Sequence, residues 1–422
     1  MATQASEASV SAILKEVYPG SVEDELNNEI ALYAVLEKEK VTVDGQGKRI
    51  VRPFRVNRNQ GFGARSDTDL LPQAGSQQLA SAQINMATNY MVGQITGRVI
   101  RTSYSDSAAF ENALSEEIEF GLTDFATEIG RQLYNGAGQL TLVNGAVTAS
   151  TTIVVASTQY LAVGMYLEFW NGVTGQTVTD AGLAVGQTGT AIVSINNSTN
   201  TIVVTTAQTI ATGATVARAG NNTTAVITKE LAGLDTILDD NTDYAGLAYF
   251  GVNRATYPVL YGNRSSAAGT LTENILQLAF DNARQIGGGI IDAIFCDYGT
   301  RRTYSNLLTS LKRYPIEGIQ SPQFAGGLTV SQDLRAQLGE GLSFSGASVI
   351  PSRQAPPRKA FMLDTSSFHI YQQSEVEWVM NGDSILTPMV SVGLDAYRFV
   401  MFLDAQLYSE APNRSAKVVA TF

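Results

Sequence analysis

One histidine and one cysteine, His369 and Cys296, limit the chemistry open to this chain. A Ser-His-Asp triad would have to recruit His369, and no Gly-x-Ser-x-Gly turn presents a serine for it. His369 alternates with apolar neighbours in Phe368-His-Ile-Tyr371, the texture of a strand residue rather than of a general base. A lone cysteine excludes an intrachain disulfide framework and a thiolate zinc site. Cys296 closes the apolar run Ile290-Ile-Asp-Ala-Ile-Phe-Cys296 and reads as a small buried hydrophobe. Asp239-Asp240-Asn241-x-Asp243 has the texture of a calcium loop, but lacks the central glycine and the closing glutamate, so a polar turn is expected. Gly287-Gly-Gly289 is followed by no Gly-Lys-Ser/Thr and ends a helix instead of opening one, so it is no phosphate loop. With 39 acidic residues, carboxylate pairs are always on offer, and nothing marks one for glycosidase work. The expectation is a protein that is not an enzyme, with no catalytic, metal or cofactor site.

Charge narrows the partners. The net charge is −11 and the pI about 4.7. Gripping a phosphate backbone takes a basic surface, so sequence-specific nucleic-acid binding is not expected. Acidity does not stop a protein from enclosing DNA. Only 16% of residues are charged, below the usual quarter, yet no run of 18 apolar residues occurs, so no membrane span is expected. Met1 to Ser11 shows no basic segment followed by an apolar one, so no secretory signal is expected. At 422 residues the chain should form two or three lobes.

The elements follow from periodicity. Residues 1–40 read as an acidic helical arm. Val10, Ile13, Leu14, Val17 and Tyr18 share one helix face; Pro19-Gly20 stops it; Ser21 caps a second helix with Val22, Leu26, Ile30 and Tyr33 in register. Residues 41–104 read as an extended hairpin: Lys48–Asn57 goes out, Asn89–Thr102 returns, and Gly61–Asn85 is the long loop between them. Its root is basic, with Lys48, Arg49, Arg52, Arg55, Arg58 and Arg65 within 18 residues. That is either a charged edge protected against aggregation or a docking arm for an acidic neighbour.

Residues 105–136 carry the clearest helix. Phe110, Leu114, Ile118, Leu122, Phe125, Ile129 and Leu133 form one stripe, capped by Asp106 or Ser107 and ended by Gly136. At ~1.5 Å per residue it should be about 40 Å long. Its polar positions are acidic, with Glu111, Glu116, Glu117, Glu119, Asp124 and Glu128 against Arg131 alone.

Between Gly136 and Ala217 only Glu168 and Asp180 are charged. The bursts Thr152–Ala156, Met165–Trp170, Ala191–Ile195 and Thr201–Thr206, with the turn Asn196–Asn200, predict a small all-β domain inserted at 137–222. From 223 to 422 the texture is α/β and then β. Thr270-x-x-Glu273 reads as a capping box for a helix through Ile275, Leu278, Ala279 and Ile286. Ile290–Cys296 reads as a doubly buried strand. Arg301–Lys312 reads as a helix, and strands are expected at Ala347–Ile350, Ala360–Leu363, Phe368–Tyr371, Val376–Met380 and Tyr397–Tyr408.

This order resembles the tailed-bacteriophage major capsid proteins of the HK-ninety-seven-like fold, an α+β architecture of N-arm, E-loop, P-domain with a long spine helix, and A-domain. The local likeness lies in Gly93–Thr102 running into the Phe110–Gly136 helix, in Ala232-Gly-Leu-Asp-Thr-Ile-Leu238, in Gly346-Ala-Ser-Val-Ile-Pro351 and in Tyr397–Leu403. Residues 136–220 depart from the minimal fold and correspond to an insertion domain.

The resemblance implies hexamers and pentamers tiling an icosahedral virion capsid around double-stranded DNA, assembled in the host bacterial cytoplasm. It implies a portal and a possible decoration protein as partners. Because the arm starts close to Met1, either a separate scaffolding protein is expected or the chain is already in its mature form. No residue supports carrying over the covalent cross-linking of one branch. On this reading the E-loop root, Lys48, Arg49, Arg52, Arg55, Arg58 and Arg65, contacts the acidic spine-helix face of the adjacent subunit, Glu116, Glu119, Asp124 and Glu128. Exposed ion pairs contribute roughly 0–1 kcal/mol each, but a shell repeats them hundreds of times. Two rivals share parts of this texture: a phage tail, baseplate or adhesin component, and a carboxylate-dependent hydrolase. The first should show repeats along its whole length, and none is found.

Overall fold

A computed structural model describes residues 30–40, 49–57, 59–67, 69–98, 107–171, 176–177, 189–221, 228–244, 246–267, 269–309, 342–373, 376–381, 385–389 and 393–420. The predicted helix at Val10–Tyr18 and the start of the second arm helix lie outside these residues, as do Lys48, Arg58 and the side chain of Glu116.

The long helix runs Ser107–Tyr134. Its predicted stripe turns inward, with Ile118, Leu122, Phe125, Ile129 and Leu133 all buried. They pack on a first sheet with the strand order Glu37–Lys40, Phe368–Gln372, Ala396–Ser409, Glu377–Trp378. Thr387–Pro388 and Ala87–Thr96 also pair with Ala396–Ser409, the 14-residue strand that organises this layer. Helix and sheet approach closely because Gly121 leaves room: a Cβ there would meet Met91 Cε at 1.8 Å. Gly93 does the same for the Phe399 ring, at 2.0 Å.

One expectation about the extended hairpin is corrected here. Ile50–Asn57 pairs antiparallel with Gln78–Ile84, inside the stretch predicted to be loop. The expected return strand, observed as Ala87–Thr96, instead pairs along its whole length with Ala396–Ala405 in the first sheet. The inward positions Ala80 and Ala82 are small because they lie across from Phe54 and Arg52. Small residues carry little hydropathy signal, so the strand did not stand out.

The second sheet has seven strands among the described residues, in the order Gln139–Leu142, Thr215–Arg218, Tyr166–Asn171, Thr190–Asn196, Thr201–Ile210, Val147–Val154, with Gln176–Thr177 beside Tyr166–Asn171. Four of its strands, Val147–Val154, Tyr166–Asn171, Thr190–Asn196 and Thr201–Ile210, overlap the predicted Thr/Val bursts, while Gln139–Leu142, Gln176–Thr177 and Thr215–Arg218 lie outside them. Leu167, Phe169, Ile192, Ile202, Val204 and Val216 form its own core.

The third sheet runs Asn263–Ala267, Ala416–Ala420, Lys359–Leu363, Ala293–Cys296, Ala347–Pro351, Ser343–Phe344. Ala293–Cys296 is buried on both faces. Phe295 faces the main core and Ile294 a second one, under the helices Glu273–Asn282 and Tyr298–Thr309. The first of these helices is capped two residues later than expected. Thr272, not Thr270, accepts from Ile275 N at 3.4 Å, and Glu273 falls in the first turn rather than at the third position of a capping box. No helix among the described residues is long and apolar enough to cross a membrane.

Candidate assembly surface

A two-stranded ribbon is marginal alone in water, so the hairpin must lean on something. Its inward face carries Ile50, Arg52, Phe54 and the buried Val56. Arg52 Nη2 reaches Glu39 Oε2 at 2.9 Å, and its guanidinium lies 5.2 Å over the Tyr371 ring. Both partners belong to the first sheet, so Arg52 ties the hairpin to its own chain. Arg49 Nη1 donates to Gln83 Oε1 at 2.5 Å. Gln83 N in turn donates to Phe250 O at 2.8 Å.

Phe250 sits in a tight turn closed by Tyr249 N to Val252 O at 2.8 Å and Val252 N to Tyr249 O at 2.9 Å. Both central residues are left-handed, with φ of 45° at Phe250 and 85° at Gly251, as a two-residue type I′ connection requires. That is uncommon for a bulky side chain. The Phe250 ring is held edge-on against Tyr249 and Tyr408, at 4.9 and 5.5 Å. A constrained turn thus fixes the hairpin base.

The outward face is different. Val51 and Leu79 are exposed, and among the described residues Arg55 donates to Asn57 O alone, at 3.4 Å. In the distal loop Phe62, Leu70 and Leu71 are 83, 89 and 85% exposed. Arg65 folds back there, donating to Leu70 O at 2.8 Å and Ala64 O at 3.0 Å. Three large apolar side chains thus stand uncovered at the end of a ribbon without a core of its own. Charge patterning does not reveal them. Their signal was Phe62 between two glycines and Leu70-Leu71 in an otherwise small and polar stretch.

On the long helix Glu119 and Asp124 are exposed, with Phe120 between them, itself 65% exposed. Glu128 is not a free member of that face. Its Oε1 lies 2.6 Å from Arg131 Nη2, and its Oε2 lies 3.5 Å from Arg218 Nη2. Burial pushes the Glu128 carboxyl up, but Arg131 and Arg218 outweigh it and hold the group at about 2. Arg131 is itself buried and also meets Glu230 at 2.6 Å. These ions form the seam between the helix and the second sheet. Among the described residues of one chain, the hairpin arginines and Glu119 or Asp124 form no ion pair.

The acidic turn at 239–243 proved to be half of a buried cluster. Lys417 Nζ, with no exposure, lies 3.2 Å from Asp235 Oδ1, 3.0 Å from Asp239 Oδ1 and 2.9 Å from Asp243 Oδ2. Lys359 and Arg264 supply the second and third cations, at 2.5 Å from Asp235 and 3.0 Å from Asp243. Burial disfavours the ammonium, yet the three carboxylates raise the Lys417 pKa above the ordinary lysine range. The cluster joins the third sheet to the helical turn Leu234–Ile237. Cys296 is buried, which pushes its thiol up to about 12.

Neither a family model nor a curated protein matches the sequence. Solved structures do match in shape. A chain of the cyanophage A-1(L) capsid asymmetric unit aligns with a TM-score of 0.55 and 11% identity, covering 93% of this chain and 92% of that one. A chain from the capsid of a native GTA particle aligns with a TM-score of 0.45 and 10% identity, covering 93 and 90%. A chain of Mycobacterium phage Bobi aligns at 0.44 and 9%, covering 93 and 91%. Of these three, the cyanophage chain alone aligns with a TM-score above one half. At such identity the likeness concerns architecture, and the chain has the fold of a phage capsid subunit.

Proposed function

We propose that the chain is a major capsid protein that assembles as hexamers and pentamers into an icosahedral shell around phage double-stranded DNA. The observation that carries this is the end-to-end likeness to a cyanophage capsid chain. The hairpin supports it, since its outward face and tip expose apolar surface that a neighbouring subunit would cover. On this reading 1–40 is the N-arm, 41–104 the E-loop region, 105–136 the spine helix, 137–222 an inserted domain and 223–422 the remaining P- and A-domains. A scaffolding protein, a portal and a decoration protein are the partners such a shell uses.

The charge contact between subunits is narrowed by the ion pairs seen within one chain. Arg52 and Glu128 already have partners, which leaves Arg55 facing Glu119 and Asp124 of the adjacent copy as the simplest pairing. Electron microscopy of the purified, overexpressed protein, with and without candidate scaffold, tests the reading. Closed shells or rings of five and six subunits are expected. A monodisperse monomer under every condition would overturn it. Arg55→Glu should lower shell yield, and adding Glu119→Arg should restore it. Normal shells from Arg55→Glu alone would remove that contact from the account.

A further inference from the structure

A cavity of about 570 Å³ opens between the base of the hairpin and the segment 228–254. Gln83, Met86, Glu230, Ile237, Tyr249 and Arg254 are among its lining residues. Arg254 is only 3% exposed. Its Nη1 donates to Asp239 O at 3.0 Å and its Nη2 to Ile237 O at 3.4 Å. Its Nε has no partner, and the guanidinium lies 5.0 Å from the Tyr249 ring centre.

Three cations are buried among the described residues: Arg131, Arg254 and Lys417. Arg131 has two glutamates and Lys417 three aspartates. Among the described residues Arg254 has no carboxylate at ion-pair distance. The Asp239 carboxylate is used by Lys417, and the Glu230 carboxylate by Arg131 and Asn221. A guanidinium stays charged in proteins, so a buried one without a counter-ion is expensive unless an anion arrives. Burial accordingly lowers the Arg254 pKa, with Tyr249 and Asp239 opposing it. The exposed Lys229 also lines the cavity, and the exposed Arg49 bonds to the lining residue Gln83.

We propose that this cavity binds a carboxylate side chain of the acidic N-terminal segment, residues 1–29. That segment holds Glu7, Glu16, Glu23, Asp24, Glu25 and Glu29 against Lys15, six acids and one base, and joins the described fold at Ile30. Its apolar residues Val10, Ile13, Leu14, Val17 and Tyr18 suit a wall that also contains Met86, Ile237 and Tyr249. The inference stands on the cavity and does not require that the protein forms shells.

Zero-length carbodiimide coupling on the full-length protein, mapped by mass spectrometry, tests it through the Lys229 amine. Links from Lys229 to acidic residues of 1–29 are expected. In folded Arg254→Gln they should fall about tenfold or more, as the loss of a hydrogen bond to a charged group implies. Should that variant fail to fold, a synthetic 1–29 peptide in excess should suppress the links in the native protein. The same peptide with its acids changed to amides should not. Links from Lys229 only to residues outside 1–29, or equal suppression by both peptides, overturns the proposal. Thermal protection by inorganic phosphate without any link to 1–29 also overturns it, in favour of a free anion.

Discussion

The second sheet and the hairpin are both β-structure, yet they complete themselves in opposite ways. The sheet buries Leu167, Phe169, Ile192, Ile202 and Val216 in a core made from its own strands. The hairpin's described strands bury only Val56, Ala82 and Ile84, while Val51, Leu79, Phe62, Leu70 and Leu71 remain exposed. Burial of apolar area stabilises at roughly 25 cal/mol per Å². The sheet gains that on its whole inner face, and the hairpin gains it on its inward face while its outward face and tip stay uncovered. A folded chain can therefore leave part of an element's apolar surface without cover of its own.

The largest expected effect separates the two regions outright. Changing Phe62, Leu70 and Leu71 together to serine should abolish shells seen by electron microscopy, while the unfolding free energy shifts by less than about 0.5 kcal/mol, as for surface positions generally. Wild-type shell yield from the triple variant would break the comparison.

Next comes the sheet. Phe169→Ala should cost about 3–5 kcal/mol in urea unfolding, the usual range for a buried phenylalanine. A loss below about 1 kcal/mol, too small for a packed core position, would mean that the sheet's core is not self-contained.

The smallest effect concerns the seam that joins sheet to helix. Glu128 sits at about 2 in the fold against an ordinary 4.5. A carboxyl lowered by folding stabilises fully above its unfolded value, and that contribution disappears as pH falls through the folded one. Thermal melts between pH 6 and 2 should show stability declining below about pH 4.5, with a shallower decline in Glu128→Gln. An unchanged slope would assign the acid sensitivity elsewhere.

Strong local patterns were legible in advance. The stripe on the long helix, the Thr/Val bursts of the second sheet and the doubly buried Ala293–Cys296 each carry a periodicity or composition that their own burial imposes. The hairpin was half legible. Ile50–Asn57 is rich in β-formers, but its partner Gln78–Ile84 is mostly small and polar and reads as loop. Of the candidate contact residues, type and clustering were visible but availability was not. Arg52 and Glu128 look like their neighbours in sequence, and only folding gives them Glu39 and Arg131 as partners.

Composition and periodicity were enough to read the long helix, four strands of the second sheet, the doubly buried strand and the acidic character of the chain. The tertiary structure decided which strand pairs with which, which ions are already neutralised and which apolar side chains have no cover. The physical reason is range. Helix stripes and strand alternation are local consequences of backbone geometry. The pairing of Ala87–Thr96 with a strand some 300 residues later, and the meeting of Lys417 with Asp235 across a sequence separation of 182, depend on chain closure that no local pattern encodes.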